Sequence, residues 1–127
     1  MEEDRSVQRG LLADDALPES TDEISLALKD FYRNVTEKQV EKLAALCDMK
    51  GLRRVFADPE LMRTAECFIE NSLNISAAAR AIYMHRNTMM YRLDKIRRYT
   101  GLDIRSFNSA VAFRVLYSAY RRSHPAK

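Results

Sequence analysis

Seven side chains within eleven positions, His85, Arg86, Asn87, Thr88, Tyr91, Arg92 and Lys95, are of the types that read nucleic acid. Arginine offers parallel N–H donors that fit a guanine edge or a phosphate, and asparagine offers the donor–acceptor pair that fits adenine. Threonine contacts phosphates or thymine methyls, and lysine contacts phosphates. The spacing agrees with the chemistry. On a helix starting near Asn87, apolar Met89, Leu93 and Ile96 recur at i, i+4 and i+7 and would face a core, leaving the polar set on the opposite side. Arg86 and Asn87 stand at the N-terminal end of that helix, the part that reaches base edges. Thr88 and Tyr91 then suit phosphates, and Arg92 and Lys95 follow the backbone further along. His85 fits either a phosphate or base contact or a helix cap, and Asn87 fits either base readout or a cap of its own helix.

Catalytic chemistry has no comparable support. The only histidines, His85 and His124, lack a neighbouring carboxylate or cysteine in the sequence, and there is no glycine-rich phosphate loop or nucleophile–base pair. Cys47 and Cys67 form no CxxC or Cys/His cluster and sit at apolar positions of helical patterns, so buried free thiols are expected rather than metal ligands. No catalytic residue, cofactor or metal is expected.

The reading helix needs a partner to hold it. Upstream, Ser76 is an N-cap type that could open a short helix whose alanines, Ala77, Ala78, Ala79 and Ala81, permit close crossing by another helix. The two segments together read as a helix-turn-helix. Many such turns hold glycine where this chain has Tyr83, because positive φ penalises a Cβ, so a non-standard turn is expected here.

The run from Ala77 to Ile96, with His85-Arg86-Asn87-Thr88 and Tyr91-Arg92-Leu93, continued by Thr100-Gly101-Leu102, closely resembles the C-terminal helix-turn-helix domain of PucR-type and sugar-diacid-type bacterial transcription regulators. A more distant likeness is to the DNA-binding end of Fis-type proteins, through the Ala-Ala-Arg and Arg-Asn-Thr elements. The resemblance spans roughly residues 61–116 and implies a DNA-binding regulator. Regulators of that family usually carry larger sensor domains ahead of this end. Too few residues precede it here, so no sensor domain is expected.

At 127 residues the chain has room for one domain and a tail. Its net charge of +3 is unevenly placed. Residues 1–60 hold 9 Lys and Arg against 14 Asp and Glu, whereas residues 61–127 hold 12 against 4, giving −5 and +8. The basic half coincides with the helix-turn-helix, as phosphate attraction requires. No apolar run approaches a membrane span, and the start, Met1-Glu2-Glu3-Asp4, is acidic where a signal peptide is basic. A cytoplasmic, nucleoid-associated protein is expected.

An all-α small helical bundle of about six helices follows from the patterns. Residues 1–19 read as a flexible acidic tail, which by charge alone could also occupy the basic surface. Residues 20–57 read as a helical pair for support or dimerisation. Its first helix opens at the capping box Ser20-Thr21-Asp22-Glu23, and its second runs from Thr36 to a stop at Gly51. Residues 58–127 read as the DNA-binding domain. It starts at Asp58-Pro59 with a buried stripe of Leu61, Ala65, Phe68, Ile69 and Ser72, and Gly101 closes the reading helix. The last helix, Phe107 to Tyr120, is apolar round most of its circumference, more than one small core can cover, and suggests contact with a second copy. The sequence therefore describes a sequence-specific regulator of double-stranded DNA, a homodimer because one helix-turn-helix reads few base pairs. The alternative is a small helical adaptor or antagonist that keeps the fold while binding another protein.

Overall fold

A computed structural model describes residues 21–125, and the acidic segment 1–19 lies outside them. Among the described residues there are seven helices and no strand: α1 (Thr21–Arg33), α2 (Glu37–Ala44), α3 (Met49–Phe56), α4 (Pro59–Glu70), α5 (Ile75–Ala81), α6 (Arg86–Thr100) and α7 (Phe107–Ser123). The all-α bundle with a helix-turn-helix is as expected. A compact unit begins at Tyr32, and α1 straddles its start. Ser20 of the expected capping box lies outside the described residues.

The additional helix arises where one continuous helix was expected from Thr36 to Gly51. Its start holds: Thr36 accepts from the Gln39 N–H while the Gln39 side chain accepts from the Thr36 N–H. The chain then breaks after Ala44 because Asp48 caps a new helix, its carboxylate accepting the Gly51 N–H at 2.9 Å. Gly51 thus sits inside the first turn of α3 and stops nothing. Its role is proximity. A Cβ built there would lie 1.7 Å from the carbonyl oxygen of Tyr99, so α3 and α6 touch backbone to backbone. Beside this contact the Asp48 N–H donates to the Thr100 carbonyl at 3.1 Å, satisfying one of the end groups that a helix leaves unpaired.

α4 opens as expected, with Pro59 at the first position and the Asp58 carboxylate accepting from the N–H groups of Glu60 and Leu61. It ends at Glu70, and Ser72 of the expected stripe lies beyond it with φ 58 and exposed. Ser76 is not the cap of α5. Asn74 is, its side chain accepting the Ala77 N–H at 2.8 Å, and Ser76 lies two residues further on, already inside the helix. Ala78 and Ala79 of α5 are buried. Met89, Leu93 and Ile96 of α6 are fully buried, and they share one core with Leu52, Val55 and Phe56 of α3, Phe68 of α4 and Phe113 of α7. Phe56 is the aromatic centre, with the rings of Phe113, Tyr117 and Tyr120 each 5.3 Å from its own. The apolar breadth of α7 is taken up largely within the chain. Ala110, Phe113, Val115 and Leu116 are buried, and Val111, Tyr117, Ala119 and Tyr120 are half-buried.

The Gly51 contact gives a prediction whose sign opposes helix propensity. In a free helix Gly→Ala stabilises by about 1 kcal/mol, but here the new Cβ must push two backbones apart, a strain on the order of 3 kcal/mol. Gly51→Ala should therefore lower stability by roughly 2 kcal/mol or leave the chain unfolded. A urea titration with an unchanged or raised midpoint would contradict the close approach.

Candidate nucleic-acid interface

The helix-turn-helix is α5 and α6. Between them the Tyr83 N–H donates to Arg80 and the Met84 N–H to Ala79, at 3.2 and 2.8 Å, the paired bonds of a Schellman ending. The residue between helix and exit takes the left-handed conformation in such a motif, and Tyr83 does so with φ 53. The turn keeps the shape that glycine would give it, and the tyrosine bears the strain with its side chain 98% exposed. Gly101 closes α6 as expected, with φ 83.

The first turn of α6 settles which residue caps it. His85 is the N-cap: its Nδ1 accepts the Asn87 N–H at 3.0 Å, which places the ring proton on Nε2, a donor on the outer edge of an exposed side chain. Asn87 does not cap the helix, and it is exposed. Arg86 and Thr88 are exposed beside it, and Tyr91 one turn on is 59% exposed. Among the described residues Arg86 enters no ion pair. These four side chains therefore lie together round the start of α6, on the solvent side of a helix whose other side is core.

Arg92 and Lys95 are placed differently. The Arg92 guanidinium turns toward α4, Nη1 3.4 Å from the Thr64 hydroxyl and Nη2 3.4 Å from the Glu60 carboxylate, with the side chain 26% exposed. Thr64 itself donates to the Glu60 carbonyl at 2.9 Å. Lys95 is half-buried, its ammonium 5.7 Å from the centre of the Tyr99 ring, which the Arg54 guanidinium also faces at 4.5 Å. Arg98 lies 5.9 Å from the Tyr91 ring.

Two features escaped the sequence reading. Asp94, on the exposed side of α6, accepts from Arg97 Nη2 at 2.7 Å and pairs with Arg98 Nε at 3.3 Å. The Arg97 hydrogen bond holds its carboxyl below the usual carboxylate range, so it remains charged throughout the neutral range. The i, i+3 and i, i+4 spacing was the available signal. The tether of Arg92 to α4 is non-local and left no trace in the spacing. Elsewhere the two cysteines are free and half-buried, and burial pushes the Cys47 thiol up.

Residues 61–119 match the family described as the PucR C-terminal helix-turn-helix domain. The chain carries a PucR-type helix-turn-helix domain. Among curated proteins, it is 35% identical over 75 residues to an uncharacterized protein, YxkF, of Bacillus subtilis (59% of this chain, 25% of that one). It is 27% identical over 88 residues to the purine catabolism regulatory protein of the same species (69% and 14%). It is 34% identical over 79 residues to the carbohydrate diacid regulator of Escherichia coli (62% and 18%). The chain thus spans a quarter or less of the length of these relatives. No solved structure matches. The PucR-type domain is a DNA-binding module of transcription regulators, and among the described residues no helix is long and apolar enough to cross a membrane.

Two substitutions check this geometry. Tyr83→Gly removes left-handed strain of roughly 1 kcal/mol, partly offset by added freedom of the unfolded chain. It should raise the urea midpoint modestly, and a clear loss of stability would mean that the tyrosine ring holds the turn. Asp94→Asn removes the one carboxylate from the exposed side of α6 and frees Arg97 and Arg98. Any duplex should then be bound several-fold more tightly at low salt in a titration, and weaker binding would show that Asp94 serves to orient those arginines.

Proposed function

We propose that the chain is a sequence-specific regulator of transcription that binds double-stranded DNA as a homodimer, its α6 seated in the major groove. The observation that carries this reading is the exposed cluster Arg86, Asn87, Thr88 and Tyr91 round the first turns of a helix whose opposite side is fully buried, within a domain type shared with named regulators. Arg86 and Asn87 read base edges. Thr88, Tyr91 and the outer Nε2–H of His85 meet phosphates, while Lys95 adds charge along the backbone. Arg92 holds α6 against α4 and turns its remaining exposed edge to the DNA backbone. Residues 58–127 form the reading domain and residues 20–57 support it. A DNA-binding chain of this kind works at the nucleoid, in the cytoplasm.

The dimer rests on footprint. One recognition helix touches few base pairs, and two copies related by a two-fold axis double the site and its specificity. The apolar circumference of α7 adds little to this argument, because the chain itself covers most of it.

Selection from a random duplex library, followed by affinity for the selected and a scrambled duplex at two salt concentrations, tests the proposal. The expected product is an inverted repeat with half-sites about one helical turn apart. Arg86→Ala should cost about 1–3 kcal/mol on the selected site and relax one position of it, whereas Lys95→Ala should weaken all duplexes alike. Absence of enrichment, with equal loss on both duplexes as salt rises, would overturn sequence-specific binding and favour a protein-binding role.

A further inference from the structure

The matched domain begins at residue 61, yet the basic surface beside α6 does not. Helix α3 precedes it and presents Lys50, Arg53 and Arg54 to solvent, while Gly51, Leu52, Val55 and Phe56 are buried. Lys50 and Arg54 are four apart and share one side of α3. That side adjoins Gly51, whose contact with the Tyr99 carbonyl fixes α3 against the C-terminal half of α6. Arg54 stacks 4.5 Å from the Tyr99 ring centre, and Lys95 stands 5.7 Å from the same centre, so a cation of α3 and a cation of the reading helix are brought to one aromatic ring. Each cation is drawn to the π-electron density of that ring. Among the described residues neither Lys50 nor Arg54 has a carboxylate partner, and the nearby carboxylates of Asp48 and Asp58 are engaged in capping α3 and α4. Arg92, Arg97, Arg98 and Arg105, by contrast, are each paired with a carboxylate.

We propose that Lys50 and Arg54 of α3 form a second phosphate-binding surface, continuous with Lys95, that grips the DNA backbone flanking the base pairs read by α6. The proposal rests on the DNA-binding reading of α6 and extends its footprint outside the recognisable domain. The Tyr99 ring positions Arg54: stacked on it, the guanidinium loses little freedom when its outer N–H groups meet a phosphate. Contacts of this kind carry no base information, so they add affinity equally to every sequence and contribute to the salt dependence.

The test is the slope of log affinity against log salt for the full chain on its selected duplex and on a scrambled one. Arg54→Gln should reduce the slope by about 0.9, and Lys50→Gln with Arg54→Gln by about twice that, as for one and two phosphate contacts. The ratio of selected to scrambled affinity should not change, and Arg54→Lys, which keeps the charge, should restore most of the slope. If Arg54→Gln lowers the melting temperature appreciably, Lys50→Gln alone carries the measurement, because Lys50 is off the ring. Unchanged slopes in folded variants would overturn the surface while leaving α6 readout standing. So would an effect from Arg53→Gln equal to that of Arg54→Gln, since Arg53 lies about 100° round the helix from Arg54 and this would show a general charge effect. A wild-type chain that binds no duplex at any salt would overturn this proposal and the reading it rests on together.

Discussion

The placement of the reading helix depends on one close approach, that of α3 to the carbonyl end of α6. Glycine at position 51 lets the two backbones meet, and one turn earlier the Asp48 N–H takes up the Thr100 carbonyl. The same end of α6 is finished internally. The Thr100 hydroxyl donates to the Ile96 carbonyl at 2.8 Å and accepts the Leu102 N–H at 3.0 Å, and Gly101 turns the chain away. A helix end buried without partners for its carbonyls would be costly. Here the partners are supplied by neighbouring backbone, which also fixes direction. The Arg92 tether to α4 holds the middle of α6, and the His85 cap orders its start. Three attachments along fifteen residues leave the exposed side chains little freedom to shift relative to one another.

Charge in this chain has meaning only once paired groups are set apart from unpaired ones. The C-terminal half is strongly basic, yet several of its arginines face carboxylates, Arg92 with Glu60, Arg105 with Asp103, and Arg97 and Arg98 sharing Asp94. The Arg105 guanidinium, 2.8 Å from Asp103, holds that carboxyl below its usual range, and Arg97 does the same for Asp94. Such exposed pairs contribute little to stability, but they determine where positive potential remains. Along α6 the cations without a carboxylate partner among the described residues are Arg86, at its start, and Lys95, toward its end, where Arg54 of α3 faces the same Tyr99 ring. Two separated sources along one helix suit a ligand that is itself a line of charge, with spaced phosphates on either side of a groove.

Most of the fold was legible because its signals are local. Met89, Leu93 and Ile96 mark the buried side of α6 by spacing alone, Asp58-Pro59 marks the start of α4, and Gly101 marks the end of α6. The errors came where two local signals compete. Asn74 and Ser76 are both cap formers, and the carboxamide two residues earlier prevails. Gly51 reads as a helix stop until Asp48 is recognised as the start of the next helix, and only the approach of Tyr99, forty-eight positions away in sequence, explains the glycine. The candidate site was legible in the identity of its residues and not in their division of labour. That Arg92 faces α4, and that His85 rather than Asn87 caps α6, are outcomes of contacts between elements or of rotamers within a turn. Residue type does not encode either.

The two turns that bracket α5 show why strain persists here. Ser72, Leu73 and Tyr83 all have positive φ without being glycine, and both turns close with the paired bonds of a Schellman ending, Leu73 to Phe68 and Ser72 to Ile69 in the first. Each such residue costs roughly 1 kcal/mol. A helix of seven residues has no stability of its own, so α5 is held by its ends and by the burial of Ala78 and Ala79. Leu73 shows the balance at one position. Its left-handed backbone is unfavourable, but its partly buried side chain packs against the core, and that burial offsets strain of roughly 1 kcal/mol. Tyr83 has no such compensation in burial, and its conformation is imposed by the turn that α5 and α6 need in order to cross closely. The turn geometry is thus determined by the packing of two helices on a shared core, and the residue standing in it adapts.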